Sequence, residues 1–276
     1  MWFFEQTGLR KQELQTGSKL RSAIEEARIP RPQRSRYQRL VSVDQCYLSA
    51  FSTTGRIKWG KALCQEFSDF FQLGPADPEP PMFLVTLCDR RCCTSHQERE
   101  IDVPGFIRLL RRGLCGLSYL GLVEPAYYVN VCPGTHASGK RMVSWHLHVI
   151  CWGVSRSEIK DRIQRLNDTA VYLPIADGLA AAHQKRIPRG QLADKFRYIL
   201  KAPRKAYRLY RVERITPDGE IVLRFKQKTS DLRPGDRLTL LQLMQDMYLD
   251  QLAVAGGQGV DILRRAKRRA LRDLPK

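Results

Sequence analysis

Two histidines one residue apart, and a tyrosine three residues before a lysine, are the side chains of this sequence best suited to chemistry. His146 and His148 lie in Val143-Ser144-Trp145-His146-Leu147-His148-Val149-Ile150-Cys151-Trp152, a β-branched and aromatic run that reads as a strand. Side chains alternate across a strand, so the two imidazoles share one face. Val143, Trp145, Leu147, Val149 and Cys151 make the other face wholly apolar and suited to a core. Neutral imidazoles suit Mn, Zn, Fe, Cu or Ni, and an open site also takes Mg with water and phosphate completing the shell. The plainer reading of the pair is two half-buried histidines, each satisfied by one polar partner. Tyr198 and Lys201 lie in Phe196-Arg197-Tyr198-Ile199-Leu200-Lys201, and on a helix they share a face. A phenol with a pKa of about 10 is a weak nucleophile at neutral pH. A nearby cation and a metal-polarised phosphate would make its attack feasible. Alone, Tyr-x-x-Lys reads better as an aromatic on a basic amphipathic helix.

Taken in order, Phe83-Leu84-Val85-Thr86-Leu87, then His146-Leu147-His148-Val149-Ile150, then Tyr198-x-x-Lys201 resemble the three motifs of the HUH endonucleases, and among those the rolling-circle replication initiators. The resemblance spans about residues 82–205. It implies nicking and rejoining of single-stranded DNA. A divalent cation, Mn²⁺ or Mg²⁺, would be held by His146, His148 and a third ligand from a neighbouring strand. Asn130 is the expected third ligand, through its amide oxygen, with Glu124 as the acidic alternative. Tyr198 would become linked to the 5′ phosphate and free a 3′ hydroxyl, with Lys201 offsetting phosphate charge or lowering the phenol pKa. The position four after Tyr198 is Ala202 and Tyr207 and Tyr210 lie beyond Pro203, so the resemblance is to a single-tyrosine enzyme. Thr86, Lys140, Arg141, Lys195, Arg197, Arg204 and Lys205 are the expected DNA contacts. The implied partners are single-stranded or hairpin origin DNA of a plasmid, phage or mobile element, and a host helicase or replication proteins. Transposases and relaxases share this chemistry.

The elements that must position these residues can be outlined from pattern. Residues 1–74 read as a helical, basic N-terminal region, with five Arg between positions 28 and 39 and helix-breaking Pro30 and Pro32 among them. Residues 75–81 form a Pro-rich linker. Within 82–228, strands are expected at 82–88, 126–132, 142–153, 171–175, 207–215 and 220–227. Helices are expected at 103–114, at 155–167 behind a Ser155/Glu158 capping box, and from 191 to just before Pro203. The Thr216-Pro217-Asp218-Gly219 turn signals a hairpin. Residues 229–276 read as a helical, basic C-terminal region broken at Gly256-Gly257-Gln258-Gly259. The fold class is α+β: a central antiparallel or mixed sheet with flanking helices and helical extensions at both ends.

Composition agrees with a polyanionic partner. Among 276 residues, 47 Lys+Arg face 28 Asp+Glu, a formal net charge of +19, which argues against an ordinary small-metabolite enzyme. No run of apolar residues is long enough to span a membrane. Met1-Trp2-Phe3-Phe4 is interrupted by Glu5, unlike a secretory signal, and the eight cysteines suit reduced cytoplasmic thiols. Cys88, Cys92, Cys93 and His96 offer zinc ligands at irregular spacing, with ordinary thiols as the alternative. The tail at 262–272 could bind duplex DNA or an anionic surface, or be a frayed, solvated end. There is no Walker-type phosphate loop, so no fused helicase is expected. Two other functions fit the residues: a non-catalytic nucleic-acid-binding regulator with a structural His pair, and a metal-dependent hydrolase in which water attacks.

Overall fold

A computed structural model of the chain describes residues 2–41, 48–73, 80–98, 100–131, 141–176, 178–215 and 217–272. Most of the expected 75–81 linker, and Lys140 in the loop before the histidine strand, lie outside the described residues.

Four helices come first: α1 (Trp2–Thr7), α2 (Leu9–Glu26), α3 (Arg31–Val41) and α4 (Thr53–Phe71). Pro30 and Pro32 separate α2 from α3, since proline is tolerated only in the first helical turn. Beyond them the Arg-rich stretch is helical. Arg36 pairs with Asp246 at 2.9 Å and Arg34 donates to the Ala27 carbonyl at 2.9 Å.

The rest of the chain runs β1 (Met82–Ser95), α5 (Val103–Arg111), β2 (Ser118–Val129), β3 (Met142–Trp152), α6 (Arg156–Asp168), β4 (Ala182–Arg186), α7 (Leu192–Leu200), β5 (Lys205–Ile215), β6 (Ile221–Asp231), α8 (Pro234–Met244), α9 (Leu249–Leu252), β7 (Ala253–Gly256) and α10 (Gly259–Arg272). The strands form one seven-stranded mixed sheet in the order β4-β1-β3-β2-β5-β6, with β7 also on β2. Every pairing is antiparallel except β2 with β5. The outer edge of β2 is shared: β7 pairs along Tyr119–Leu122 and β5 along Tyr127–Val129. Between them lies a gap holding Glu124 and Pro125, and proline has no N–H to offer a neighbouring strand.

Several strands differ from expectation: β1 continues past 88 to Ser95, and the strand expected at 126–132 is β2, which starts at Ser118 and ends at Val129. Residues 171–175 are irregular; there Leu173 exchanges single bonds with Arg90 and the Asp89 carboxylate while Tyr172 is buried. The strand lies instead at β4, whose Ala-His-Gln-Lys-Arg sequence lacks the β-branched run that signals one. β7 is likewise built of small residues and was not expected.

The sheet is covered on both faces, so the division of β3 into one core face and one free face holds only in part. Trp145 meets Phe106 of α5 on one side. On the histidine side, Phe67 of α4 packs against Trp152 at 5.6 Å and Phe196 of α7 at 4.5 Å, and Phe196 meets Phe3 of α1 at 5.1 Å. One apolar cluster runs from α1 through the sheet to α10. Helix α10 is neither frayed nor simply solvated. Ile262, Ala266 and Ala270 are buried, and Arg265 and Arg269 pair with Glu66 at 3.0 and 2.7 Å. No helix among the described residues is long and apolar enough to cross a membrane.

Candidate metal centre and nucleophile

Strand β3 carries the centre because both of its neighbours present polar groups in register. Glu124 of β2 lies opposite His146, and Thr86 of β1 lies opposite His148. His146 Nε2 lies 2.9 Å from His148 Nε2, and Glu124 Oε1 lies 3.4 Å and 3.2 Å from those two nitrogens. All three side chains are buried. Behind the rings, His146 Nδ1 meets the Ser144 carbonyl at 3.2 Å and His148 Nδ1 meets Thr86 Oγ1 at 2.7 Å. A carbonyl can only accept, so His146 carries its proton on Nδ1 and turns an Nε2 lone pair toward Glu124 and His148. Thr86 can accept the Nδ1 proton of His148 in the same way.

These donors fit a divalent cation. Ligands about 2.1 Å from a shared ion stand about 3.0 Å apart at octahedral angles and about 3.4 Å apart at tetrahedral ones. The edges of the triangle are 2.9, 3.2 and 3.4 Å. The protonation states suit the same purpose. Burial pushes the Glu124 carboxyl up, but the Lys201 cation and the two imidazoles beside it overcome this and hold the group well below the usual carboxylate range. Burial, then the neighbouring His146, push His148 down to about 4, so it is neutral at physiological pH. Among the described residues these three form the one clustered set of His, Cys, Asp and Glu side chains able to hold a metal.

Asn130, the expected third ligand, does not reach the histidines; Glu124 does. Asn130 lies past the last β2–β3 pair, exposed, with a φ of 63° that marks a turn. Six residues of strand at about 3.3 Å each would separate it from Glu124. A hairpin folded symmetrically about residues 133–141 would set position 128 opposite His146; the actual register sets Glu124 there. One signal did point to it: Glu124 is the only charged residue between Ser118 and Val131, and a carboxylate in an apolar strand needs partners.

Helix α7 brings the second motif to the first. Tyr198 Oη lies 3.2 Å from His148 Nε2, and their rings meet edge to face at 4.7 Å. Lys201, at the C-cap of α7, reaches Glu124 Oε1 at 3.4 Å and the Tyr198 carbonyl at 2.8 Å, with Nζ 3.9 Å from the centre of the Tyr198 ring. Burial, then the Glu124 carboxylate, push the phenol pKa up. A cation beside Glu124 would reverse the second of these effects.

The turn out of α7 is pinned from both sides. Arg56 of α4 donates through Nη1 to the Leu200 carbonyl at 2.8 Å, and Glu13 of α2 accepts from the Ala202 N–H at 2.8 Å. Lys201 is the residue between those two peptide groups. Arg56 and Glu13 are 4% and 2% exposed, so the N-terminal helices reach through the core to hold the lysine backbone.

No family model, curated protein or solved structure matches this chain. The assignment of residues therefore stands on geometry.

The remaining expected DNA contacts divide. Thr86 is engaged with His148. Arg141, Arg197 and Lys205 pair with Asp236, Asp194 and Asp231 at 3.3, 2.7 and 2.6 Å. Arg204 lines a separate small hollow with Gln15, Thr16, Lys19, Asp231 and Arg237, away from the histidines. Lys195 is half-buried on α7. The cysteine–histidine set does not assemble: Cys92 enters the main core, Cys88 lines the cleft beside the histidines, and His96 donates to the Arg141 carbonyl at 3.2 Å. His183 of β4 lies opposite Thr86 and lines the same cleft.

Replacing the hydroxyl that orients His148 is expected to weaken metal binding. Thr86→Val should lower Mn²⁺ affinity by roughly 10-fold or more, measured by calorimetric titration, while Asn130→Ala leaves it unchanged. Equal effects of the two substitutions would refute this assignment of the ligand sphere.

Proposed function

We propose that this protein nicks and rejoins single-stranded DNA through a tyrosine, in the manner of the HUH replication initiators its motifs resemble. One observation carries the reading. A phenol on a separate helix stands 3.2 Å from a nitrogen of a buried Glu-His-His donor set, with a lysine beside both. Glu124, His146 and His148 would hold the cation. When bound, Mn²⁺ or Mg²⁺ supplies Lewis acidity that polarises a phosphodiester oxygen.

The chain's own groups do the rest. Tyr198 is 37% exposed and lines the cleft, so its side chain is reachable from there. Its oxygen forms the new bond to phosphorus while the bond from phosphorus to the 3′ oxygen breaks. The phenol proton ends on the freed 3′ hydroxyl, and the 5′ phosphate remains esterified to Tyr198. The reverse reaction rejoins the strand, so no nucleotide cofactor is needed. Lys201 holds positive charge beside the position where negative charge develops.

The test is incubation of the protein with end-labelled single-stranded DNA of random sequence and Mn²⁺. A DNA–protein adduct stable to boiling in detergent, lost with EDTA and weakened by His146→Ala or His148→Ala, is the expected result. Cleavage without an adduct would assign the attack to water. Salt-sensitive binding without cleavage would assign a regulator.

A further inference from the structure

We infer that the cleft beside the metal centre is a pocket for one unstacked nucleobase of the DNA strand; this rests on the nucleic-acid reading above. The cleft holds about 240 Å³, below the ~300–1,000 Å³ of drug-sized pockets. It therefore suits one planar heterocycle and not a run of bases.

One wall is aromatic. Tyr128 of β2 and Tyr207 of β5 are register partners, and their rings stack with centroids 5.3 Å apart at 29°. Ile175, Leu179 and Ala180 supply aliphatic surface to the same cleft. Two polar side chains are available to a ring edge. Tyr128 Oη donates to Gln227 Oε1 at 3.3 Å, which leaves the amide its two N–H donors. Ser144 also lines the cleft, with its hydroxyl buried beside the Cys93 thiol.

Charge decides the class of ligand. In a chain of net charge +19, the described residues lining this cleft include no Lys, Arg, Asp or Glu. Phosphate would find no cation there outside the metal centre. A flat, neutral group with hydrogen-bonding edges finds stacking surface and polar partners, which is how extruded bases are held. The pocket and Tyr198 share lining, so a base seated here would set its neighbouring phosphate toward the phenol.

The test separates base binding from catalysis by working in EDTA. Anisotropy titrations would use fluorescein-labelled ten-nucleotide strands of adenine, of thymine, and of abasic sugar-phosphate. Tyr207→Leu, which keeps apolar volume but removes the ring, should weaken binding of the base-bearing strands about tenfold and leave the abasic strand unchanged. Gln227→Ala and Ser144→Ala should change the ratio of adenine to thymine affinity. Equal losses on abasic and base-bearing strands, or no loss on any of them, would overturn the pocket. A base-dependent loss in a protein that forms no adduct with Mn²⁺ would leave the pocket standing and remove the nicking reaction.

Discussion

Tyr198→Phe should abolish the DNA–protein adduct, by roughly 10³-fold or more, while the protein folds and binds Mn²⁺ as before. The substitution removes a single oxygen that, among the described residues, hydrogen-bonds His148 Nε2 at 3.2 Å. The ring keeps its edge contact with His148 and its place under Lys201. The lost hydrogen bond belongs to a side chain 37% exposed, so the stability cost should be about 1 kcal/mol or less. The reaction, by contrast, loses its nucleophile outright. The measurements are detergent-resistant adduct by gel, Mn²⁺ affinity by calorimetry, and midpoint in urea. Tyr207 also lines the cleft, so any residual adduct should be mapped by peptide digestion. Adduct formed at full rate by the variant, at Tyr207 or elsewhere, would remove Tyr198 from the mechanism.

Arg56→Met should destabilise the fold by about 2–4 kcal/mol, because the Ala50 and Leu200 carbonyls both lose their donor. Burial raises the Glu13 carboxyl above the usual carboxylate range, and the Arg56 cation offsets only part of that. Removing the cation also takes away that offset. Glu13→Gln retains an oxygen to accept from the Ala202 N–H but takes one of the two carboxylates that act on the buried guanidinium, leaving Glu124. The double variant removes both members of the Glu13–Arg56 pair and should recover part of the loss, which a double-mutant cycle in urea would measure. Additive losses would mean that the two residues do not act as a pair. A shifted Lys201 should also slow adduct formation in the single variants beyond the fraction unfolded, because Lys201 lies between the two anchored peptide groups and its Nζ reaches both Glu124 and the Tyr198 ring.

Much of this organisation was legible in the sequence, where local pattern and side-chain chemistry coincide. The alternation in Val143–Trp152 set His146 and His148 on one face, and the helix stopping before Pro203 set Tyr198 and Lys201 one turn apart. The capping box at Ser155 and Glu158 forms as expected. So does the hairpin around residues 216–219, whose partners run from Lys205 with Asp231 to Ile215 with Ile221. These features depend on neighbours within a few residues, and a dozen residues of sequence contain the information.

What only the tertiary structure decided was which distant groups meet. Glu124 meets the histidines and Asn130 does not because a displacement along β2 changes which side chain faces His146. Strands β4 and β7 are held by their neighbours and not by their own propensity, so nothing in Ala-His-Gln-Lys-Arg or Ala-Val-Ala-Gly announces them. The anchoring of Lys201 by Glu13 and Arg56 joins residues 189 and 144 positions apart. Contacts over such distances follow from how helices stack on a finished sheet, and no spacing rule along the chain encodes them.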